Sequence, residues 1–239
     1  MWKSKILNDI TDYWITLFYG FPIFAWTPTH NKNHHKFNNR EGDFTITYRV
    51  SEKNNIFTLL SYPTISSYFQ QNPIVVYLKF LWKNKRSKFY LSVFQYVALG
   101  LFIIGALLLD WKKAILYVII PQQFALFSVL IFNYIQHVHA DEESDYNHSR
   151  NFVSPTTNFL LFNNGLHTIH HYRASIHWSE TPEAHKKIDH LIAPHLKERG
   201  FWPYIIKAYI IAPFNNTFRT KSMRLERLAK KQAAESPQV

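Results

Sequence analysis

The sequence predicts an all-α integral membrane fold built on one transmembrane hairpin, and three observations carry that expectation. Two uncharged runs of 19 residues, 91–109 and 114–132, stand almost side by side in the chain. Each makes about 28 Å of helix, enough to cross the hydrocarbon core of a bilayer. Only Asp110, Trp111, Lys112 and Lys113 separate them, and two such spans on so short a turn are rare in soluble cores. Lys83, Lys85, Arg86 and Lys88 crowd the entrance to the first run, against Lys112 and Lys113 at the turn. That excess puts the entrance on the cytoplasmic side, and a hairpin returns the chain to the same face.

Taken in order, the remaining apolar stretches are too short or too broken to span. Residues 15–26 (ITLFYGFPIFAW) contain Gly20 and Pro22 and read as interfacial or re-entrant. Residues 56–82 mix aromatics with Ser, Gln and two prolines, which predicts helices lying on a surface. Inside the second span, Pro121, Gln122 and Gln123 predict a kink packed against protein rather than lipid. Residues 201–214 are again interfacial, with Trp202 and Tyr204 suited to the headgroup level. Residues 1–214 therefore form a single membrane domain. Residues 215–239 form a basic tail, solvated and flexible or bound to anionic lipid.

Composition narrows the function. The 239 residues carry a formal charge of +11, contain no cysteine and are 47% hydrophobic. Disulfide scaffolds, thiolate zinc sites, iron–sulfur ligation and a cysteine nucleophile are thereby excluded. The basic residues cluster beside the apolar spans, which argues against nucleic acid as a partner. The unusual count is 13 histidines, and none lies within either span.

His30, His34 and His35 form HNKNHH, and His167, His170 and His171 form HTIHH. Between them Asn133, His137 and His139 sit in NYIQHVH, at the exit of the second span. Spacings of three and four share one face of an α-helix, so His30 with His34, and His167 with His170 and His171, can converge on a metal. Asn133 and His137 are also four apart. His148, His177, His185, His190 and His195 read as ordinary surface or core residues. Six or seven imidazoles exceed the needs of one tetrahedral zinc and imply two metal ions. Beside a lipid phase the evident use is oxygen chemistry on a hydrocarbon, which demands a redox metal and favours iron. Asn39, Asp43, Asp141 and Glu180 flank the clusters and are candidates to hold the second ring nitrogens. A metal transporter would place ionisable ligands within its spans, where this chain has none.

HNKNHH with the following Asn39, the Asn133–His137 pair and FNNGLHTIHH together resemble the integral-membrane fatty acid desaturase and hydroxylase family, over residues 13–185. The resemblance implies a non-haem di-iron centre at the cytoplasmic membrane face, of the bacterial inner membrane or the endoplasmic reticulum. It implies His30, His34, His35, His137, His167, His170 and His171 as ligands, with Asn133 touching the site through water. His139 has no counterpart in it. Oxygen-dependent desaturation of an acyl lipid or acyl-CoA is the implied reaction, with electrons from a separate ferredoxin or b-type cytochrome. A hydroxylase or carotenoid oxygenase would use the same boxes. The family also carries a first box, HxxxH or HxxxxH, after an upstream hairpin. No histidine precedes His30 here, so the chain is expected to be N-terminally truncated, with a non-catalytic remnant as the alternative outcome.

Overall fold

Regular structure is almost entirely helical in the computed structural model, which describes residues 2–235. Residue 1 and residues 236–239, the end of the basic tail, lie outside the described residues. The chain divides into two units, Met1–Lys36 with Thr64–Leu130, and Phe37–Pro63 with Ile131–Val239.

The first unit opens with α1 (Lys5–Tyr19), whose N-terminal amides are capped by the Ser4 hydroxyl. A 3₁₀ turn (Ile23–Ala25) and a π-wound turn (Thr27–His34) lead into the short α2 (His35–Phe37). Helix α3 (Ile56–Asn84) is one continuous helix of 29 residues rather than several, and it absorbs both of its prolines. Helix α4 (Arg86–Ala114), a π-wound turn (Ile115–Ile119) and α5 (Ile120–His137) follow, with the unit boundary falling inside α3 and α5.

Among the described residues, one helical run, Arg86–His137, is long and apolar enough to cross a membrane. At 52 residues it would extend about 78 Å if straight, more than twice a hydrocarbon core. It is not straight. Asp110 has φ −162° and ψ 98°, and its carboxylate accepts the amides of Lys112 and Lys113. The Thr16 hydroxyl donates to Gln95 Oε1 at 3.4 Å, while the neighbouring Leu17 carbonyl accepts from Gln122 Nε2 at 2.7 Å. On an unbroken helix those two glutamines would stand about 40 Å apart, so the chain doubles back at Asp110. Only 17% of the most apolar window is buried, with Leu101, Leu108, Leu109 and Phe124 projecting outward. A helix from a soluble core would be mostly covered.

Around Pro121 the helix continues, with its irregularity in the preceding turn, and of the three residues expected to pack against protein Gln122 is buried while Pro121 and Gln123 are exposed. Proline clashes with the carbonyl four residues back, and the preceding turn is π-wound, with the Ile120 amide bonded to the Ile115 carbonyl. Gln122 is buried against α1. Gly20 makes this possible, because its φ of +79° ends α1 and a Cβ there would lie 2.5 Å from Gln122 Cβ. The freed amides of the following bend are also satisfied. Ile23 N–H reaches the Thr16 hydroxyl, and Phe24 N–H reaches Gln95 Oε1.

In the second unit β1 (Asn151–Phe152) pairs in parallel with β2 (Lys197–Glu198). Helices α6 (Pro155–Leu160), α7 (His167–Tyr172) and α8 (Thr181–Ile188) lie between the strands in sequence, and α9 (Phe201–Ile205) and α10 (Met223–Glu235) follow them. Leu166 and Ile169 of the α7 segment pack with Ala184 and Ile188 of α8, and with Ala140, Ile192 and Leu196, as one apolar core. Trp202 is 70% exposed, as an interfacial residue should be, but Tyr204 is fully buried. Its ring lies under the Arg150 guanidinium at 4.6 Å, and its hydroxyl accepts from Asn54. The expectation that Tyr204 sits at headgroup level is therefore corrected: a buried cation claims its π face. Within the basic tail, Met223–Glu235 is helical.

Candidate metal centre

In the first unit, the turn bearing His30, His34 and His35 is not α-helical. The His35 amide bonds to the carbonyl of His30, five residues back, which winds Thr27–His34 as a π-turn. Five-residue winding brings His35 beneath His30, and their Nε2 atoms lie 3.2 Å apart. The His34 ring is 5.4 Å from that of His30, so all three rings gather at one turn. Trp26 closes the edge, its ring 4.8 Å from His30. The residue spacing alone pairs His30 with His34; the π-winding adds His35.

In the second unit, His137 ends α5 and His167 begins α7. His137 Nε2 and His167 Nε2 are 3.0 Å apart, and His171 Nε2 is 3.2 Å from His167 Nε2. The ligating nitrogens of these three residues lie within 4.8 Å of one another, with no carboxylate in the group. His137 and His167 are fully buried or nearly so. The His170 ring stacks at 5.3 Å from His167 on the same helix.

The second nitrogen of each ring decides what these contacts mean. His137 Nδ1–H donates to the His148 carbonyl at 3.1 Å, and His167 Nδ1–H faces Asn164 Oδ1 at 3.4 Å. Both Nε2 atoms then present lone pairs to each other, an arrangement that repels unless a cation sits between them. A metal with bonds of about 2.1 Å brings adjacent ligand nitrogens to about 3 Å. The residues fit such an ion.

The scaffold behind α7 is polar and closed. Asn151 Oδ1 accepts the Thr168 amide while its Nδ2 donates to the Thr168 hydroxyl, at 3.0 and 2.8 Å. Gly165 passes so close to Phe152 and Asn158 that a Cβ would lie 2.7 Å from the Phe152 carbonyl oxygen. FNNG is thus the segment that lets His167 enter.

Of the residues expected to orient imidazoles, Asp43 accepts from the amides of Asn39 and Thr45, and Asn39 bonds Thr47. Asp141 pairs with Arg227, and Glu180 is exposed. For His137 and His167 the orienting groups are the His148 carbonyl and Asn164, which the sequence alone did not single out. Asn164 alone left a trace in sequence, three residues before His167. Asn133 donates its amide to the Tyr62 hydroxyl at 2.6 Å, which in turn donates to the Thr45 carbonyl. His139 is occupied by protein on both sides: Nε2–H donates to the Glu52 carbonyl and Nδ1 accepts from the Thr220 hydroxyl. Burial pushes its pKa down and keeps it neutral. Its role is structural.

A family model described as fatty acid desaturase matches residues 1–203. The chain belongs to the fatty acid desaturase family. No curated protein and no solved structure matches it. Membership makes this desaturase-family chain an oxidoreductase of lipid metabolism, from a family that uses non-haem iron. Within it, Asn164→Ala is expected to weaken iron binding about 10- to 100-fold while leaving the ligands in place, the range for residues that orient a liganding imidazole. Iron titration of the purified variant measures this, and unchanged affinity would remove Asn164 from the scaffold.

Proposed function

We propose that this desaturase-family chain catalyses oxygen-dependent desaturation of an acyl chain, supplied as an acyl lipid or acyl-CoA. The observation that supports it best is the convergence of three imidazole Nε2 atoms, from His137, His167 and His171, without an intervening acid. Together with His30, His34, His35 and His170, and with Asn133 acting through water, they hold two iron ions. Bound iron supplies the dioxygen activation that removal of unactivated hydrogen requires.

The protein's own residues do the rest. The His148 carbonyl and Asn164 hold protons on Nδ1, so that Nε2 of His137 and of His167 stays available as a ligand. Both arms of the Arg86–His137 hairpin cross the bilayer, and the histidines stand on its cytoplasmic side, where Lys83, Lys85, Arg86 and Lys88 gather. An acyl chain gains about 0.8 kcal/mol for each methylene moved into an apolar path, so it enters without further help. In sum, one dioxygen, two electrons and two protons convert a saturated carbon pair to an alkene with release of two waters. The electrons, in this reading, arrive from a separate ferredoxin or b-type cytochrome, in keeping with the lack of cysteine for an iron–sulfur cluster in these 239 residues.

Membranes containing the protein, supplied with a reductant system and either an acyl lipid or an acyl-CoA, test this by mass spectrometry. Loss of two hydrogens from one substrate is the expected result. Gain of an oxygen atom would make the chain a hydroxylase instead, and conversion of neither acyl form would sink the acyl reading.

A further inference from the structure

The segment of residues 220–227 lies beyond the part of the chain that matches the family model, yet it is bonded to the loop that leaves the proposed ligand His137. That loop starts in an unusual conformation. His139 has φ +63°, and both of its ring nitrogens are engaged, one by Thr220 and one by the Glu52 carbonyl. Its own carbonyl accepts the Met223 amide at 3.2 Å. Two residues on, Asp141 and Glu142 are neighbouring acids, and Glu142 is buried. Buried like charges repel, and here two arginines from the C-terminal segment compensate them. Arg227 Nε meets Asp141 at 2.7 Å and its Nη2 meets Glu142 at 2.7 Å. Arg224 donates to Glu52 at 2.7 Å and forms an ion pair with Glu142 at 3.0 Å, with its guanidinium 4.0 Å from the centre of the Tyr48 ring.

The loop is closed at its far end as well. The Asp141 amide donates to the Asn147 carbonyl, and the next residue, His148, supplies the carbonyl that holds His137 Nδ1. Whatever fixes residues 138–142 therefore fixes both the backbone of His137 and the group that orients its ring. We propose that residues 220–227 belong to the metal-site scaffold, with Arg224 and Arg227 as positioning residues for His137. The inference rests on the reading of His137 as an iron ligand.

The test uses the full chain with Arg227→Asp, and the charge-swapped pair Arg227→Asp with Asp141→Arg. Two quantities are read: iron affinity, and hydrogen exchange of amides 138–147 in metal-free protein. The single variant should bind iron about 10- to 100-fold more weakly, as expected for loss of an outer positioning contact, and exchange faster across 138–147. The swapped pair should recover both. Wild-type affinity in the single variant, or a swap that restores neither quantity, overturns the assignment. Wild-type protein that takes up no iron at all overturns the ligand reading itself, a different and separately visible failure.

Discussion

Replacing His167 with alanine is expected to lower iron affinity more than about 100-fold, beyond the range for residues that merely orient ligands. His167 Nε2 faces both His137 Nε2 and His171 Nε2, at 3.0 and 3.2 Å, so its removal breaks both contacts that define the second-unit group. The Asn151–Thr168 pairing is untouched by the change, and α7 should keep its place. His34→Ala and His170→Ala are expected to lose metal and turnover together, because both are proposed ligands. His195, which is exposed and remote in sequence from the boxes, provides the control. Metal analysis of the four purified proteins decides the matter: normal iron in the His167 variant would refute the ligand assignment, and iron loss in the His195 variant would show a nonspecific effect.

Gly165→Ala is expected to destabilise the protein by about 3 kcal/mol, the upper end of the overpacking range. A single added methyl carbon would meet Asn158 Oδ1 at 2.6 Å and the Phe152 carbonyl at 2.7 Å. Neither group is free to retreat. Phe152 belongs to β1, its own amide bonded to the Gly165 carbonyl, and Asn158 Nδ2 donates to the same Phe152 oxygen that the methyl would approach. The strain falls two residues before His167, so iron affinity should drop with stability. Gly100→Ala is the matched comparison, since nothing lies within 4 Å of a Cβ there. On a helix that change should be neutral or stabilising by up to about 1 kcal/mol. Thermal unfolding in detergent that ranks the two substitutions equally would show that the close approach at Gly165 does not matter.

Much of the layout was legible because it depends on residue type and spacing. The Asp-Trp-Lys-Lys interruption marks the reversal at Asp110, and the proline of the second arm marks its irregular turn. The histidine boxes identify themselves, and the family match agrees with the resemblance drawn from them. What spacing could not give was winding. His30 and His34 satisfy the α-helical rule, whereas the observed nitrogen contact joins His30 to His35 across a π-turn. Backbone acceptors were equally hidden, because the carbonyl of His148 has no signature in the identity of that residue. Charge invited a wrong pairing: Asp141 looked like a partner for imidazole and is instead taken by an arginine 86 positions away. Tyr204 misled for a related reason, since an amphipathic side chain fits a lipid headgroup and a buried guanidinium alike.

The π-wound turn at Thr27–His34 has a consequence for how this region tolerates change in length. Such a turn is equivalent to an α-helix carrying one residue too many, held out as a bulge. Asn31 and Lys32 are exposed on it, with the Lys32 ammonium over the rings of Tyr77 and Phe80. Removing one residue would therefore let the turn close as ordinary α-helix, with the second of the paired histidines now four residues after His30 and still on its face. Adding one has no such outlet and would carry His35 about 100° around the axis from His30. The box has room to shorten by a codon and none to lengthen.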